Sequence, residues 1–134
     1  MLSAGVPSVR AQYHVPYIAH ASISPSAAVA DVREDAADLY VATHRPFGLR
    51  DEAAELLGLT PERVRVHPQA MSGMYGRGNV NDAALEAVRL SRAARCPVLV
   101  QWTREDEFRL SPHRPVLDAA LHAVVDPGGP ISGV

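Results

Sequence analysis

Val64-Arg-Val-His-Pro-Gln-Ala-Met-Ser-Gly-Met-Tyr-Gly-Arg-Gly-Asn-Val-Asn-Asp82 carries three patterns in succession, and together they set the fold. Val64 and Val66 alternate with Arg63, Arg65 and His67, as a half-buried strand requires. Gly73, Gly76 and Gly78 then break the chain into a loop around Met74, Tyr75 and Arg77. Residues 82–95 place alanines at 83, 84, 87 and 94 beside Leu85, Val88 and Leu90, a helix with a small face suited to close packing on a sheet. Such a loop presents bare backbone: glycine permits positive φ and close approach, and the first turn of the next helix offers unpaired N–H groups and a positive dipole end to an anion. The order is G-x-x-G-x-G with no following Gly-Lys-Ser/Thr, so neither the dinucleotide fingerprint nor the P-loop is satisfied. A phosphate-bearing cofactor is the ligand this loop suggests. The bland alternative is a tight surface turn from strand to helix.

On the N-terminal side, residues 12–19 read as an extended segment interrupted by Pro16, at a sheet edge. Residues 27–33 and 37–43, joined by Glu34-Asp35-Ala36, read as a hairpin with Val29, Leu39 and Val41 facing inward. Leu49, Ala53, Leu56 and Leu57 fit a helix that starts after Pro46-Phe47-Gly48 and ends at Gly58, and Thr60-Pro61-Glu62 caps a further short turn. Beyond the loop, Pro97–Trp102 is an apolar strand. Thr103-Arg-Glu-Asp106 fits a capping box. Val116–Val125 is a last strand running to a turn at Asp126-Pro127-Gly128-Gly129, after which residues 131–134 begin a returning strand with an unpaired edge. The fold class expected is α+β, a mixed sheet with helices packed on it. Residues 1–11 form an N-terminal extension and residues 12–134 one domain.

Composition narrows the function classes. With 134 residues, 47% hydrophobic and 21% charged, the chain can bury a modest two-layer core. The net charge of −2 and the scattered basic residues argue against a nucleic-acid partner. All thirteen basic residues are arginine, and most are read as solvated. The single cysteine, Cys96, excludes an internal disulfide and reads as buried and inert. No apolar run reaches the roughly 18 residues of a membrane span, and no secretory signal stands at the N-terminus. The compartment expected is the cytoplasm, with the periplasm as the alternative. There is no His-Glu-x-x-His, no Gly-x-Ser-x-Gly and no partner for the cysteine, which disfavours a hydrolase.

Tyr17-Ile-Ala-His-Ala-Ser-Ile-Ser-Pro25, Thr43-His-Arg-Pro46, Ser72-Gly-Met-Tyr-Gly-Arg77, Asn81-Asp82 and Pro97-Val-Leu-Val-Gln-Trp-Thr-Arg-Glu-Asp-Glu107, in this order and spacing, resemble the molybdopterin-binding subunit of the xanthine dehydrogenase and aldehyde oxidase family. The nearest look is to its isoquinoline 1-oxidoreductase and nicotinate dehydrogenase branch. The resemblance covers residues 12–134 and a minor part of such a subunit, so the chain reads as a fragment. It implies a partial molybdopterin-binding domain of a molybdenum hydroxylase, an oxidoreductase that hydroxylates aldehydes or N-heterocycles with oxygen from water. The implied cofactor is molybdopterin, in simple or dinucleotide form, with iron–sulfur clusters and in some members haem on partner subunits. The implied partners are the remainder of the subunit, an iron–sulfur electron-transfer subunit and a small-molecule substrate.

The family's glycine loop over the molybdenum centre matches Ser72–Arg77, with Tyr75 at the aromatic position, so the resemblance assigns cofactor contact to Gly73, Met74, Tyr75, Gly76 and Arg77. His44 stands where many members carry a glutamine near the metal. Asn79 replaces the substrate-contacting glutamate of xanthine-type members, which disfavours a purine-like substrate. The water-activating glutamate matches no residue here, so no catalytic residue is assigned within this chain and no activity is expected from it alone. His20, Trp102 and residues 104–107 read more readily as structural: a satisfied histidine, a core or interface tryptophan and a solvated helix start. The rival readings are a non-catalytic α+β module that binds an anion or partner through the same loop, and an unstable truncated gene product.

Overall fold

The computed structural model describes residues 8–125 and 131–133, with side chains described as far as Val124. The order of elements is β1 (Ser8–Val15), β2 (Ile18–Ala19), β3 (Ala27–Val32), β4 (Ala37–Val41), α1 (Pro46–Leu57), β5 (Val64–Pro68), α2 (Asp82–Ala94), β6 (Val98–Gln101), α3 (Arg104–Leu110), β7 (His113–Arg114), β8 (Leu117–Val125) and β9 (Ile131–Gly133). The chain divides into two compact units, residues 19–112 and residues 1–18 with 113–134.

The central unit is a mixed four-stranded sheet in the order β5-β4-β3-β6. Strand β3 is antiparallel to β4 and β6, and β4 is parallel to β5, so β4, β5 and β6 all run the same way. The connections β4–α1–β5 and β5–α2–β6 lay both helices against the sheet. Composition explains how closely they sit. Ala28, Ala30, Val32, Ala37, Leu39 and Val41 point to the helices from β3 and β4, and Ala84, Ala87 and Val88 of α2 meet them in one buried cluster. Alanine on both surfaces lets the helix axis approach the sheet, while Leu39 and Leu49 fill the remaining volume. Helix α1 ends at Gly58 in the left-handed conformation, φ 72°, as the sequence pattern requires.

Register corrects one expectation. Ala30 lies opposite Leu39 and Val29 opposite Tyr40, so the inward positions of β3 are Ala28, Ala30 and Val32, and Val29 faces the other side. Helix packing selects the small residues, against the usual ranking of side chains by hydrophobicity. Cys96 is exposed, contrary to the buried reading, because it precedes β6 in the turn after α2.

The second unit is a three-stranded sheet, β1-β8-β9, with β1 antiparallel to β8 from Ser8 opposite Val124 to Val15 opposite Leu117. Strand β1 thus begins inside the segment read as an extension. Strand β9 returns antiparallel to β8 and, last in the order, has no strand on its outer edge among the described residues, as read from the sequence. The turn expected at 126–129 lies outside the described residues. None of this sheet's described side chains is buried. Its polar ties include His14 Nδ1 to Asp118 Oδ1 at 2.6 Å, and Tyr17 stacks on His113 with centroids 4.9 Å apart.

Ala87 is fully buried in the face of α2 that lies on the sheet. Replacing it by leucine must push that helix outward, so Ala87→Leu is expected to cost about 1–3 kcal/mol by overpacking. Chemical denaturation with an unchanged m-value is the check; a stability equal to that of the parent would contradict the close-packing account.

Candidate functional site

The loops at the carboxyl ends of β4, β5 and β6, with the segment that leads into β3, converge at one end of the central sheet. In sheets with parallel strands and helical crossovers this is the end at which ligands are bound. The glycine loop, residues 69–81, is the longest of these loops.

Two of its glycines are demanded by backbone angle. Gly73 has φ 74° and Gly76 φ 104°, both left-handed, and the intervening Tyr75 is itself held at φ 51°. Gly78 is needed for a different reason: a β-carbon there would strike the thioether of Met74 and come within 3.1 Å of His44 Nδ1. A β-carbon on Gly73 would meet the Tyr75 hydroxyl at 3.0 Å, and one on Gly76 would meet the His20 ring at 3.2 Å. Thus Tyr75 folds back over Gly73, and His20, whose Nδ1 lies 3.0 Å from the Pro112 carbonyl, braces Gly76.

The loop is closed by Arg77 N–H donating to Met74 O at 2.8 Å and by Asn79 N–H donating to Gly76 O at 3.3 Å. Among the described residues, no acceptor stands opposite the amide N–H groups of Gly73, Met74, Tyr75 or Gly76. Four successive unclaimed donors in a turn with left-handed residues form the kind of concavity that binds anionic or oxo groups. On the side facing the uncovered surface of the sheet, Met74 borders a depression of roughly 410 Å3 with Ser22, Ser24, Tyr40, Leu99 and Gln101. A larger hollow, about 720 Å3, opens at the opposite end of the sheet beside Arg92, Arg95 and Cys96. It holds none of the loop's donors, so size does not identify the site.

His44 follows β4 and reaches the loop from the other side. Its N–H donates to Gly78 O at 2.9 Å, and its exposed ring makes no hydrogen bond among the described residues. The contact is fixed by Thr43, 5% exposed, whose hydroxyl donates to Asn81 Oδ1 at 2.9 Å while accepting from Arg45 N–H at 3.0 Å. His44, Gly73, Met74, Tyr75 and Gly76 are therefore brought together.

Arg77 is placed differently from the sequence reading. It is 2% exposed and turned inward. Its guanidinium donates through Nε to Glu107 at 3.3 Å, and through its terminal nitrogens to Asp82 at 2.6 Å and to Val80 O at 3.2 Å. The Trp102 ring lies under it with centroid 5.3 Å away. Each of its three side-chain nitrogens donates internally. The N-terminus of α2 is likewise occupied: the Asp82 carboxylate accepts from Ala83 N–H at 2.9 Å and pairs with Arg77. The anion expected at that helix end is thus a side chain of the chain itself.

Glu107, which reads from the sequence as a solvated residue, is the buried support of the loop that sequence reasoning misses. It is 5% exposed, and its second oxygen accepts the Ser26 N–H at 2.6 Å. Arg104, from the same stretch, donates to Ser22 O at 2.7 Å and Ile23 O at 2.6 Å. The capping box at Thr103 and Asp106 is the available signal, because it fixes where α3 starts and so the place of Glu107 in its first turn. Burial pushes the Glu107 carboxyl up, but the Ser26 donors and the Arg77 charge outweigh this and hold it below its ordinary value of 4.5.

Comparison with known proteins shows the family and the fold. A sequence profile for the molybdopterin cofactor-binding domain matches residues 2–134. Over 100 residues, 75% of the chain, the sequence is 40% identical to a nicotinate dehydrogenase subunit of Pseudomonas putida, of which that stretch is 8%. It is 31% identical over 78% of its length to the beta subunit of isoquinoline 1-oxidoreductase from Brevundimonas diminuta, covering 14% of that protein. The chain therefore spans a small share of the relatives it matches. Among solved structures, quinoline 2-oxidoreductase from Pseudomonas putida 86 superposes with TM-score 0.78 at 22% identity, over 93% of this chain and 16% of that one. CO dehydrogenase from Oligotropha carboxidovorans superposes with TM-score 0.80 at 15% identity, over 96% and 16%. These two likenesses show the fold.

A carboxyl whose folded pKa is lowered adds stability that is complete above its ordinary value and is lost as pH falls through the folded value. Glu107 should therefore add a stabilising increment above 4.5 that fades below it. Between about pH 6 and pH 3 the parent should lose stability more steeply than Glu107→Gln, with Asp38 and Asp106, also lowered, supplying the slope that remains. Equal slopes in pH-dependent unfolding would show that the Glu107 carboxylate has no such role.

Proposed function

Because the chain belongs to the molybdopterin cofactor-binding domain family, we propose that it is the segment of a molybdenum hydroxylase that receives the molybdopterin cofactor on the amides of Gly73, Met74, Tyr75 and Gly76. The observation that carries this reading is the row of four backbone donors with no internal acceptor, framed by two left-handed glycines. The residues fit the group: the donors suit its oxo, sulfur and phosphate acceptors, and the missing β-carbons leave room for close approach. Met74 and Tyr75 contribute through their amides. His44 adds an unpartnered ring at the loop's edge, a donor or acceptor according to its tautomer. Arg77 supports the loop from behind. When bound, the cofactor supplies the two-electron redox chemistry.

The reaction proposed is hydroxylation of an N-heterocycle or aldehyde by oxygen from water, with electrons leaving through iron–sulfur clusters, and in some assemblies haem, on a partner subunit. The relatives' names favour the heterocycle, since nicotinate and isoquinoline both contain a pyridine ring. The rest of the site, including the group that activates water, belongs to other parts of the enzyme. The cytoplasm is taken as its compartment.

Gly73→Val and Gly76→Val should each abolish cofactor loading in the assembled enzyme, because a β-branched residue resists positive φ and fills the approach. Molybdenum and pterin content, measured beside circular dichroism as a folding control, decides it. Folded valine variants with full cofactor would refute the site. The chain supplied alone with cofactor is expected to show no turnover of aldehydes or N-heterocycles, and measurable hydroxylation would overturn the division of the active site described above.

A further inference from the structure

Both ends of the glycine loop are tied to the same short stretch that precedes β3. At its start, Ser72 Oγ bonds the Ser24 hydroxyl and accepts the Ser24 N–H at 3.3 Å. At its end, Arg77 reaches Glu107, whose other oxygen takes the Ser26 N–H. The stretch is held in turn by Arg104 through Ser22 O and Ile23 O. Between the two ties stands Tyr75, a non-glycine residue at φ 51°, a conformation that persists only where the surroundings impose it.

We propose that Arg77 and Glu107 are positioning residues: their buried pair sets the presentation of the Gly73–Gly76 amides to the cofactor, without touching it. The inference rests on the preceding reading of those amides. Arg77 can do this because its three donor directions lead to three segments, α3 through Glu107, α2 through Asp82 and its own turn through Val80 O. Its backbone N–H also closes the loop on Met74 O. A lysine would keep the charge but has no planar fork to hold three acceptors at once. Trp102 beneath the guanidinium and the 6% side-chain exposure of Glu107 keep water from substituting for either partner.

The test uses the native holoenzyme with Arg77→Lys, Glu107→Gln and the double change Arg77→Met with Glu107→Gln. The double variant leaves no stranded charge on either of the two residues, so it remains informative should a single change misfold. Hydrogen exchange is read at the amides of Arg77 and Asn79, whose bonds close the loop, against the amides of α2 as a fold control. Molybdenum content is read in parallel. The expected result is faster exchange at 77 and 79 with unchanged α2 protection, and about tenfold less molybdenum, the usual scale for groups that orient a site from behind. Arg77→Lys should fail to restore either value.

Parental exchange and full molybdenum in Arg77→Lys or in the double variant would overturn the proposal. So would a loss of α2 protection equal to that at 77 and 79, which would make the pair a general stabiliser. The two readings separate cleanly: Gly76→Val with full cofactor sinks the site itself, whereas Gly76→Val without cofactor beside a fully loaded Arg77→Lys sinks only the positioning role.

Discussion

A guanidinium that water cannot reach is the constraint around which this end of the sheet is built. Arg77 carries a full charge at 2% exposure, a state that is stable only if its donors meet well-placed acceptors. Those acceptors lie on α2, on α3 and on its own turn, so the loops after β5 and β6 must assemble together or not at all. Removing one partner of such a pair typically costs about 3–5 kcal/mol, much more than a surface ion pair contributes. The ion pairs elsewhere on the sheet, such as Arg63 with Asp35 at 61% and 76% exposure, carry no comparable weight.

The platform beneath is plain. Alanines at 28, 30, 84 and 87 let α2 sit close to β3, which brings its first residue, Asp82, within reach of Arg77. Packing and electrostatics are thus one problem. A bulkier sheet face would lift the helix and leave the guanidinium without its strongest partner. The uncovered face of the sheet follows another logic. One row carries Tyr40, Val29 and Leu99, and the next carries Asp38 and Asp31 with Arg33 between them. His67 joins the two, stacking on Tyr40 and holding Asp38 at 2.8 Å. The Asp38 carboxyl, accepting from His67 and Arg33, lies below its ordinary range.

What the sequence reveals and what it hides divide along physical lines. Local signals are legible: Gly58 as a helix stop, the capping box at Thr103 and the alternation of Val64 and Val66, although α1 begins at Pro46, earlier than the start after Gly48 read from the sequence. So is the glycine loop, because positive φ leaves a mark in composition. Hidden are facts that depend on partners far along the chain. Hydrophobicity alone turns Val29 inward, as one of the two most hydrophobic residues of its strand, whereas helix packing decides which face is buried. Glu107 looks like an ordinary solvated charge and Arg77 like a cofactor contact, because a long polar side chain shows nothing of its burial until its partner, 30 residues away, is in place.

The loop's glycines show why such a site can be read at all. Gly73 and Gly76 are required by backbone angle, and Gly78 by the space that Met74 and His44 occupy. The first requirement does not concern the identity of the side chains at 74 and 75, and the unclaimed groups there are amide hydrogens. On the proposed reading, recognition by backbone leaves the sequence free to vary at those two positions while the glycines and their supports stay constrained. Tyr75 can accordingly occupy the place of another aromatic residue without altering the donors. Chemical identity in this site is therefore written less in the residues that face the ligand than in those that hold the backbone still: Ser72 and Arg77 at the loop's ends, and Ser24 and Glu107 that hold them.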